Sequence, residues 1–405
     1  MVRQRVIVSP DTFIWTNGSL GIAYNSSIRT GYRFENTMSI SEYIDIIQRP
    51  ESLYSAIVPS SVDKEAHTDL QLFLNRLVKE GMAKIVADKE DIPLSLKPIL
   101  KIQDDVSYYR WLNGQGIDGE VINNLHKIVV NLGSCIGSNL FACQSPFPVH
   151  DDVSILNAIR IKQFIKDSAQ SSFLSEINII GNPIGKFDEE FYAEIKSISP
   201  IRFSVLADDM GGNYDLIRKL QEFGKLELVI RVSTTLPQKV ISLINKFPET
   251  DLCFIVEKEE DIDLIHSLGI DGTTIGEIRI LPIYNSTNKA FIMDTLAINE
   301  DDLLINGPDK RSIFIHESIN IFDFGKLYIM PDGKVLSNMC SPAIGTIEEN
   351  PKDIVYRELD RGKSWLKTRN NFSCTKCVFR SLCPSFSNYE KLLGRPLCTI
   401  YNDMN

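Results

Sequence analysis

The stretch HKIVVNLG at 126–133 begins the alternation that decides the fold of this chain. It is a short apolar run, and similar runs follow as LSEINIIG at 174–181, IRFSVLA at 201–207, LELVIRVS at 226–233, DLCFIVE at 251–257 and TTIGEIRILPI at 273–283. Polar, amphipathic segments of helical period separate them. This alternation predicts an α/β fold with a parallel sheet and crossover helices. Six units favour a partial (β/α)6 barrel over a full eight-unit barrel, with an open sheet as the alternative.

The region before this alternation has a different pattern. Short alternating segments (RVIV, TFIW and GIAYNS) are interrupted at Ser9-Pro10 and at Asn17-Gly18. Asn-Gly between such segments is a strong hairpin signal. Amphipathic helices are predicted over 39–48 and 68–81, and the second ends at a glycine before the strand MAKIVA. These features predict a winged-helix-like domain over residues 1–98.

Beyond residue 300 the β/α alternation ends. The segment KLYIMPDGKVLSNMC at 326–340 predicts a hairpin that turns at Pro331-Asp332-Gly333. The sequence that follows is rich in loops and cysteines, a composition that usually needs a metal to fold. We therefore expect three domains, over residues 1–98, 126–300 and 301–405.

The composition excludes several function classes. Apolar residues make up 43% and charged residues 24% of the 405 residues, as in ordinary globular proteins. A formal charge of −10 argues against a nucleic-acid partner, which would need a basic surface. No apolar run approaches the ~18 residues that span a bilayer, and the N-terminus lacks the pattern of a secretory signal. We therefore expect a cytoplasmic protein without a membrane partner.

Cysteines are concentrated near the C-terminus. Cys374, Cys377, Cys383 and Cys398 follow the spacing C-x2-C-x5-C-x14-C. A C-x2-C turn lets two thiolates face one metal centre, and the later cysteines can complete its ligand shell. Four thiolates suit zinc and an iron–sulfur cluster equally well, so the spacing predicts a metal site and leaves its identity open.

The C-terminal region resembles the SPASM domain of radical S-adenosylmethionine (radical-SAM) enzymes. The resemblance rests on LYIMPDGKVLSNMC (327–340), SPAIGTIEENPKDIVYREL (341–359) and CTKCVFRSLC (374–383). It implies one [4Fe–4S] cluster, with zinc as the alternative, held by the four cysteines named above. That family carries a second cluster, but here Ser387 stands where one of its cysteines belongs. Cys340 is therefore a spare thiol or an additional ligand.

The β/α region resembles a radical-SAM domain that lacks its cofactor motifs. Active members place C-x3-C-x2-C after the first strand, and those three thiolates hold a [4Fe–4S] cluster with one iron open. The corresponding loop, SCIGSNLFACQSPFP (134–148), offers only Cys135 and Cys143, with seven residues between them. In IIGNPIG (179–185), Asn182 replaces the acid of the family's Gly-Gly-Glu-Pro step. The resemblance implies a pseudoenzyme of the radical-SAM superfamily, with no catalytic residues and no bound S-adenosylmethionine.

The N-terminal region resembles the precursor-peptide recognition elements of bacterial ribosomal-peptide modification systems. The resemblance rests on DTFIWTNGSLGIAYNSSIRTGYRF (11–34) and the helices after it. Such modules bind a leader peptide as an added strand at an exposed edge beside a helix. It implies an edge at GIAYNS, with Ile22 and Tyr24, and a helix that carries Leu72, Asn75 and Lys79.

Together these resemblances imply a non-catalytic accessory protein. It would bind a precursor peptide and partner an active radical-SAM maturase, with one structural [4Fe–4S] cluster. Two alternatives stay open. The first is a radical-SAM-type peptide-modifying enzyme whose atypical cofactor site uses Cys135, Cys143 and a third ligand. The second is a zinc-stabilised binding protein without redox chemistry.

Overall fold

The computed structural model describes residues 3–59, 68–88, 94–100, 109, 116–133, 157–183, 185–210, 213–232, 238–268, 276–362, 364–370 and 372–400. The first elements are the strands β1 (Gln4–Val8), β2 (Thr12–Asn17), β3 (Leu20–Asn25) and β4 (Thr30–Glu35). Helix α1 (Met38–Ile47), strand β5 (Ser55–Ile57), helix α2 (Thr68–Lys79) and strand β6 (Ala83–Ala87) follow.

The N-terminal strands form two antiparallel sheets, with strand orders β5-β1-β6 and β2-β3-β4. The predicted hairpin at Asn17-Gly18 is confirmed, because Asn17 pairs with Leu20 and Gly18 has a φ of +58°. Both helices pack an apolar face into one core, which includes Ile47 of α1 and Leu74 of α2, each fully buried.

The central sheet contains the six strands that the apolar runs predicted. They are β7 (Lys127–Asn131), β8 (Glu176–Ile180), β9 (Ile201–Leu206), β10 (Gly224–Arg231), β11 (Asp251–Val256) and β12 (Ile278–Pro282). Neighbours in sequence are parallel neighbours in the sheet. The helices between them are α3 (Ala158–Ser168), α4 (Glu189–Ile198), α5 (Tyr214–Phe223), α6 (Gln238–Lys246) and α7 (Glu259–Ser267). The α/β class with a parallel sheet is confirmed, while closure into a partial barrel stays a prediction.

The two faces of this sheet differ in chemistry. One face packs against the helices and is apolar, as at Ile128, Ile177 and Phe203. The other, which we call the inner face, is apolar only toward the carboxyl ends of the strands, as at Leu206 and Ile255. Toward the amino ends, alternate positions of the inner face are polar or charged, and they are Lys127, Glu176, Asn178, Arg202, Ser204, Glu227, Asp251 and Arg279.

The C-terminal segment adds a strand to the central sheet. It comprises α8 (Lys289–Leu296), α9 (Glu300–Leu304), α10 (Lys310–Ser318), β13 (Lys326–Ile329), β14 (Lys334–Leu336), β15 (Gly345–Thr346), α11 (Pro351–Arg361), α12 (Phe372–Thr375) and α13 (Asn388–Leu393). Strand β13 pairs parallel to β7, and β14 pairs antiparallel to β13. The predicted turn at Pro331-Asp332-Gly333 joins β13 and β14, with a φ of +80° at Gly333. This placement brings the cysteine-rich loops beside the inner face.

No helix in the described ranges has both the length and the apolar character that crossing a bilayer requires.

Candidate metal centre and peptide-binding edge

Three separate segments carry the four predicted metal ligands. Cys374 lies in α12, and the Cys377 amide donates to the Cys374 carbonyl at 3.0 Å, which closes the C-x2-C turn. The Cys383 amide donates to the Phe379 carbonyl at 3.1 Å. Cys398 forms a parallel bridge with Ile298, in the connection between α8 and α9. We call these four residues the four-cysteine site.

Cys377, Cys383 and Cys398 pack into one hydrophobic core, and Cys374 lies in the same C-x2-C turn as Cys377. Burial, with smaller contributions from the charges of Cys374 and Cys398, raises the pKa of Cys377 to about 11. Burial also raises the pKa of Cys383, and the charges of the other three thiols act in the same direction. Four thiolates so close together repel one another, and a bound cation would remove that repulsion.

The donor chemistry fits the predicted metal, although the side chains do not form a closed ligand shell. In the ranges that the structure describes, no three His, Cys, Asp or Glu side chains are arranged to hold one metal ion. A single tetrahedral zinc ion would need its sulfur ligands within about 4 Å of one another, from a Zn–S distance near 2.3 Å. The four iron atoms of a [4Fe–4S] cluster hold their cysteine ligands further apart.

Arg369 and Glu390 form a buried ion pair behind the four-cysteine site. The guanidinium contacts both carboxylate oxygens, at 2.8 and 3.2 Å, and the two side chains are 5% and 1% exposed. Arg369 also donates to the Cys374 sulfur at 3.5 Å and to the Pro384 carbonyl at 2.8 Å. Glu390 accepts from the Leu397 amide at 3.0 Å. One ion pair thus contacts all three segments that carry the cysteines.

Sequence reasoning missed this ion pair, although one signal of it was present. Ser387 is the N-cap of α13, and Glu390 completes the capping box, with the Ser387 amide donating to the Glu390 carboxylate at 2.8 Å. The pattern S-x-x-E is recognisable in sequence. The contact of Glu390 with Arg369 joins residues 21 positions apart and has no local signature.

Cys340 is not disulfide-bonded to any residue of the four-cysteine site, because none of those four thiols takes part in a disulfide. Its amide donates to the Asn338 side chain at 2.7 Å, and its sulfur is disulfide-bonded. A role as an additional metal ligand would therefore require reduction of that bond. Cys135 and Cys143 lie outside the described residues, so the predictions that concern them stay predictions.

The predicted location of the peptide-binding edge is wrong. Strand β3, which contains the GIAYNS segment, is the middle strand of its sheet and pairs with both β2 and β4. Ile22 and Tyr24 are fully buried, in a core that also contains Phe379 and Leu382 of the cysteine-rich segment. The Tyr24 hydroxyl donates to the Pro308 carbonyl at 2.7 Å. Both side chains therefore join the N-terminal sheet to the C-terminal segment.

The two outer strands of this sheet differ in how far their edges are covered. On β2, the Thr12 carbonyl accepts from the Tyr54 hydroxyl at 2.5 Å and the Ile14 carbonyl accepts from the Gln48 side-chain amide at 3.0 Å. On β4, only the first residue forms a bridge, Thr30 with Ile305. The Arg33 carbonyl has a long 3.5 Å contact with the Arg76 side chain. Among the described contacts, β4 thus has the more open edge.

Helix α2 lies beside β4 and carries the other predicted contact residues. Phe73 packs on Phe34 of β4 with ring centroids 4.6 Å apart, and the Arg76 guanidinium lies 3.9 Å from the Tyr32 ring centroid. Leu72, one residue before Phe73, is 65% exposed. The remaining predicted contact residues of the helix, Asn75 and Lys79, are also exposed.

Neither a family model nor a curated protein sequence matches the chain. Among solved structures, SuiB of Streptococcus suis bound to the precursor peptide SuiA has a TM-score of 0.38 and 11% identity, over 96% of this chain and 97% of that chain. The structure of anSMEcpe with bound AdoMet and a peptide has a TM-score of 0.38 and 12% identity, over 69% of this chain and 99% of that chain. BtrN in complex with AdoMet and 2-DOIA has a TM-score of 0.33 and 13% identity, over 62% of this chain and 94% of that chain.

Proposed function

We propose that this chain is a non-catalytic accessory protein of a peptide-modification system. It binds a precursor peptide as an added strand along the outer edge of β4, beside α2, and partners an active radical-SAM maturase. The observation that carries the proposal is the open edge of β4 next to an exposed leucine on α2. The maturase and the class of peptide follow from the sequence resemblances.

Strand addition at β4 is favoured by its backbone. In an antiparallel strand the amide and carbonyl of one residue point to the same side. Because the Arg33 carbonyl meets Arg76 rather than β3, the Arg33 amide also faces the outer edge. A peptide strand would pair with the Arg33 amide and, in place of the long contact from Arg76, with the Arg33 carbonyl. Leu72 would supply an apolar contact for alternate peptide side chains.

The four-cysteine site is proposed to hold one [4Fe–4S] cluster with a structural role. The cluster, when bound, would crosslink the three segments that carry its ligands. Arg369 lies against these segments and would offset part of the negative charge of a cluster with four thiolate ligands. The proposal of a non-catalytic role rests on the sequence that follows β7. This sequence contains two cysteines, Cys135 and Cys143, whereas the radical-SAM cofactor motif requires three.

The peptide proposal is tested with proline at the outer edge of β4. The Arg33→Pro variant removes one outward amide, and Arg33→Ala removes the same side chain, with its ion pair to Glu300, but keeps the amide. Proline is tolerated on edge strands, so both variants should fold. We expect Arg33→Pro to bind a fluorescein-labelled candidate precursor peptide about tenfold more weakly than Arg33→Ala.

Thr16→Pro supplies the control on the opposite edge of the same sheet, where Thr16 of β2 is exposed. It should leave peptide affinity unchanged in fluorescence anisotropy. Equal affinities for Arg33→Pro and Arg33→Ala, or an equal loss in Thr16→Pro, would remove β4 as the binding edge.

A further inference from the structure

A cavity of about 600 Å³ lies between the inner face of the central sheet and the C-terminal segment. Its sheet side is formed near the amino ends of the strands, by residues such as Lys127, Arg202 and Arg279. Parallel α/β sheets usually bind ligands beyond the carboxyl ends of their strands, so this cavity is at the opposite end from the usual cofactor site. Its volume lies within the range of small-molecule sites, about 300–1,000 Å³.

Two of the acidic side chains that line this cavity, Glu227 and Asp323, already have partners. The Glu227 side chain is 3% exposed and accepts from Ser204 at 2.8 Å, from Arg279 at 2.9 Å and from Arg202 at 3.2 Å. Both carboxylate oxygens of Asp323 lie 2.8 Å from the Asn338 amide nitrogen. These two carboxylates are therefore poor partners for a ligand in the cavity.

Two lysines of the cavity are less well compensated. Lys326 on β13 and Lys127 on β7 occupy paired positions, so their side chains lie side by side. Lys127 forms an ion pair with Glu176. Among the described residues, no carboxylate lies within 4.0 Å of the Lys326 ammonium, which donates to the Phe322 carbonyl at 2.6 Å. Like charges at paired positions destabilise a sheet, so this arrangement costs stability unless an anion is bound.

The surroundings of Lys326 add to that cost. Burial and then the charge of Lys127 lower the pKa of Lys326, and the opposing charges of Asp323 and Glu176 reverse only part of this shift. An ammonium group has three donors, and the Phe322 carbonyl takes one of them. An anion beside Lys326 would accept from the remaining donors and would separate the two positive charges.

The rest of the cavity wall suits the apolar part of an organic ligand. Six apolar side chains also line the cavity, and they are Val129, Leu296, Ile298, Phe322, Met339 and Leu397. We propose that this cavity binds a small organic anion, whose carboxylate or phosphate group lies at Lys326 and Lys127 and whose apolar part packs on these side chains. This site is separate from the β4 edge and does not depend on peptide binding.

The proposal is tested by calorimetric titration of the full chain with phenyl phosphate, benzoate and benzyl alcohol. The three probes share a phenyl ring and differ in the group that would meet the lysines. We expect saturable binding of benzoate or phenyl phosphate and no binding of benzyl alcohol. The probe that binds more tightly identifies whether the site prefers a carboxylate or a phosphate. Lys326→Met, which keeps the length of the side chain but not its charge, should weaken binding at least tenfold.

Lys334→Met is the matched control, because Lys334 lies on the adjacent strand β14, is exposed and pairs with Asp332 outside the cavity. It should bind the anion as the unmodified chain does. In the ligand-free state, Lys326→Met should raise the melting temperature, since it removes the repulsion with Lys127. Absence of anion binding up to about 10 mM, well above the millimolar range of weak ligands, would overturn the proposal. So would equal binding by Lys326→Met, or a lower melting temperature of that variant.

Discussion

At the scale of single residues, Arg369 decides how the four-cysteine site is positioned. It is nearly fully buried, and it contacts the Cys374 sulfur, the chain just after Cys383 and the carboxylate of Glu390. Desolvation of such a buried charge is offset only when its partners are well placed. Glu390 in turn fixes the chain just before Cys398. The ion pair is therefore a positioning device for all the proposed ligands.

We predict that Arg369→Met lowers both stability and metal content. Loss of one partner leaves the Glu390 carboxylate buried without compensation, which costs about 3–5 kcal/mol in free energy of unfolding. Chemical denaturation measures this loss, and iron and labile-sulfide analysis measures the metal. Arg380→Met is the control, since Arg380 is partly exposed and has a distant 3.8 Å ion pair.

The double variant Arg369→Met/Glu390→Leu separates the effect of the ion pair on stability from its effect on the positions of the cysteines. Removal of both charges should restore much of the stability, because no uncompensated carboxylate remains. Metal content should stay low, since the contacts to Cys374, Pro384 and Leu397 are still absent. A double variant that regains full metal content would show that the pair acts on stability alone.

At the scale of elements, the sequence was informative wherever a pattern is local. The six apolar runs predicted the strands β7 to β12, because the helix-facing positions of each strand and the inner positions toward its carboxyl end are apolar. The hairpin at Asn17-Gly18 was equally local. Strand order is not local, and the place of β3 between β2 and β4 was therefore predicted wrongly. The insertion of β13 beside β7 joins segments about 200 residues apart, and no periodicity in the sequence indicates it.

The candidate site was predictable to the same degree. The C-x2-C spacing predicted that Cys374 and Cys377 share one turn, because this geometry is local, whereas the placement of Cys383 and Cys398 beside them depends on the fold. Lys326 and Lys127 meet only through the pairing of β13 with β7, so the sequence alone did not indicate a cavity there.

Helix α2 supplies a prediction at this scale. Leu72→Ala should weaken binding of the labelled precursor peptide about five- to thirtyfold, since a buried leucine contact contributes on the order of 1–2 kcal/mol. Thermal stability should change little, because Leu72 is 65% exposed in the free chain. Val78→Ala on the same helix is the control, with Val78 at 36% exposure. Equal affinity of Leu72→Ala and the unmodified chain would exclude α2 from the interface.

At the scale of the whole molecule, the proposed peptide edge and the proposed metal centre are parts of one packed unit. The core that holds Ile22 and Tyr24 of β3 also holds Phe379 and Leu382, which lie between Cys377 and Cys383. At the start of β4, Thr30 bridges to Ile305 just after α9. The sheet that would receive a peptide is therefore supported from behind by the loop that carries the cysteines.

This packing predicts that loss of the metal weakens peptide binding at a distance. Cys377→Ala should lose the metal, because structural metal binding in small domains contributes on the order of 10 kcal/mol and needs its full ligand set. The loosened loop would then support β3 and β4 less firmly, and affinity for the labelled peptide should fall several-fold. Cys253→Ala is the control, since Cys253 is a buried cysteine of the central sheet outside the four-cysteine site. If Cys377→Ala lost its iron yet bound peptide with unchanged affinity, the peptide edge and the metal centre would be energetically independent despite their shared core.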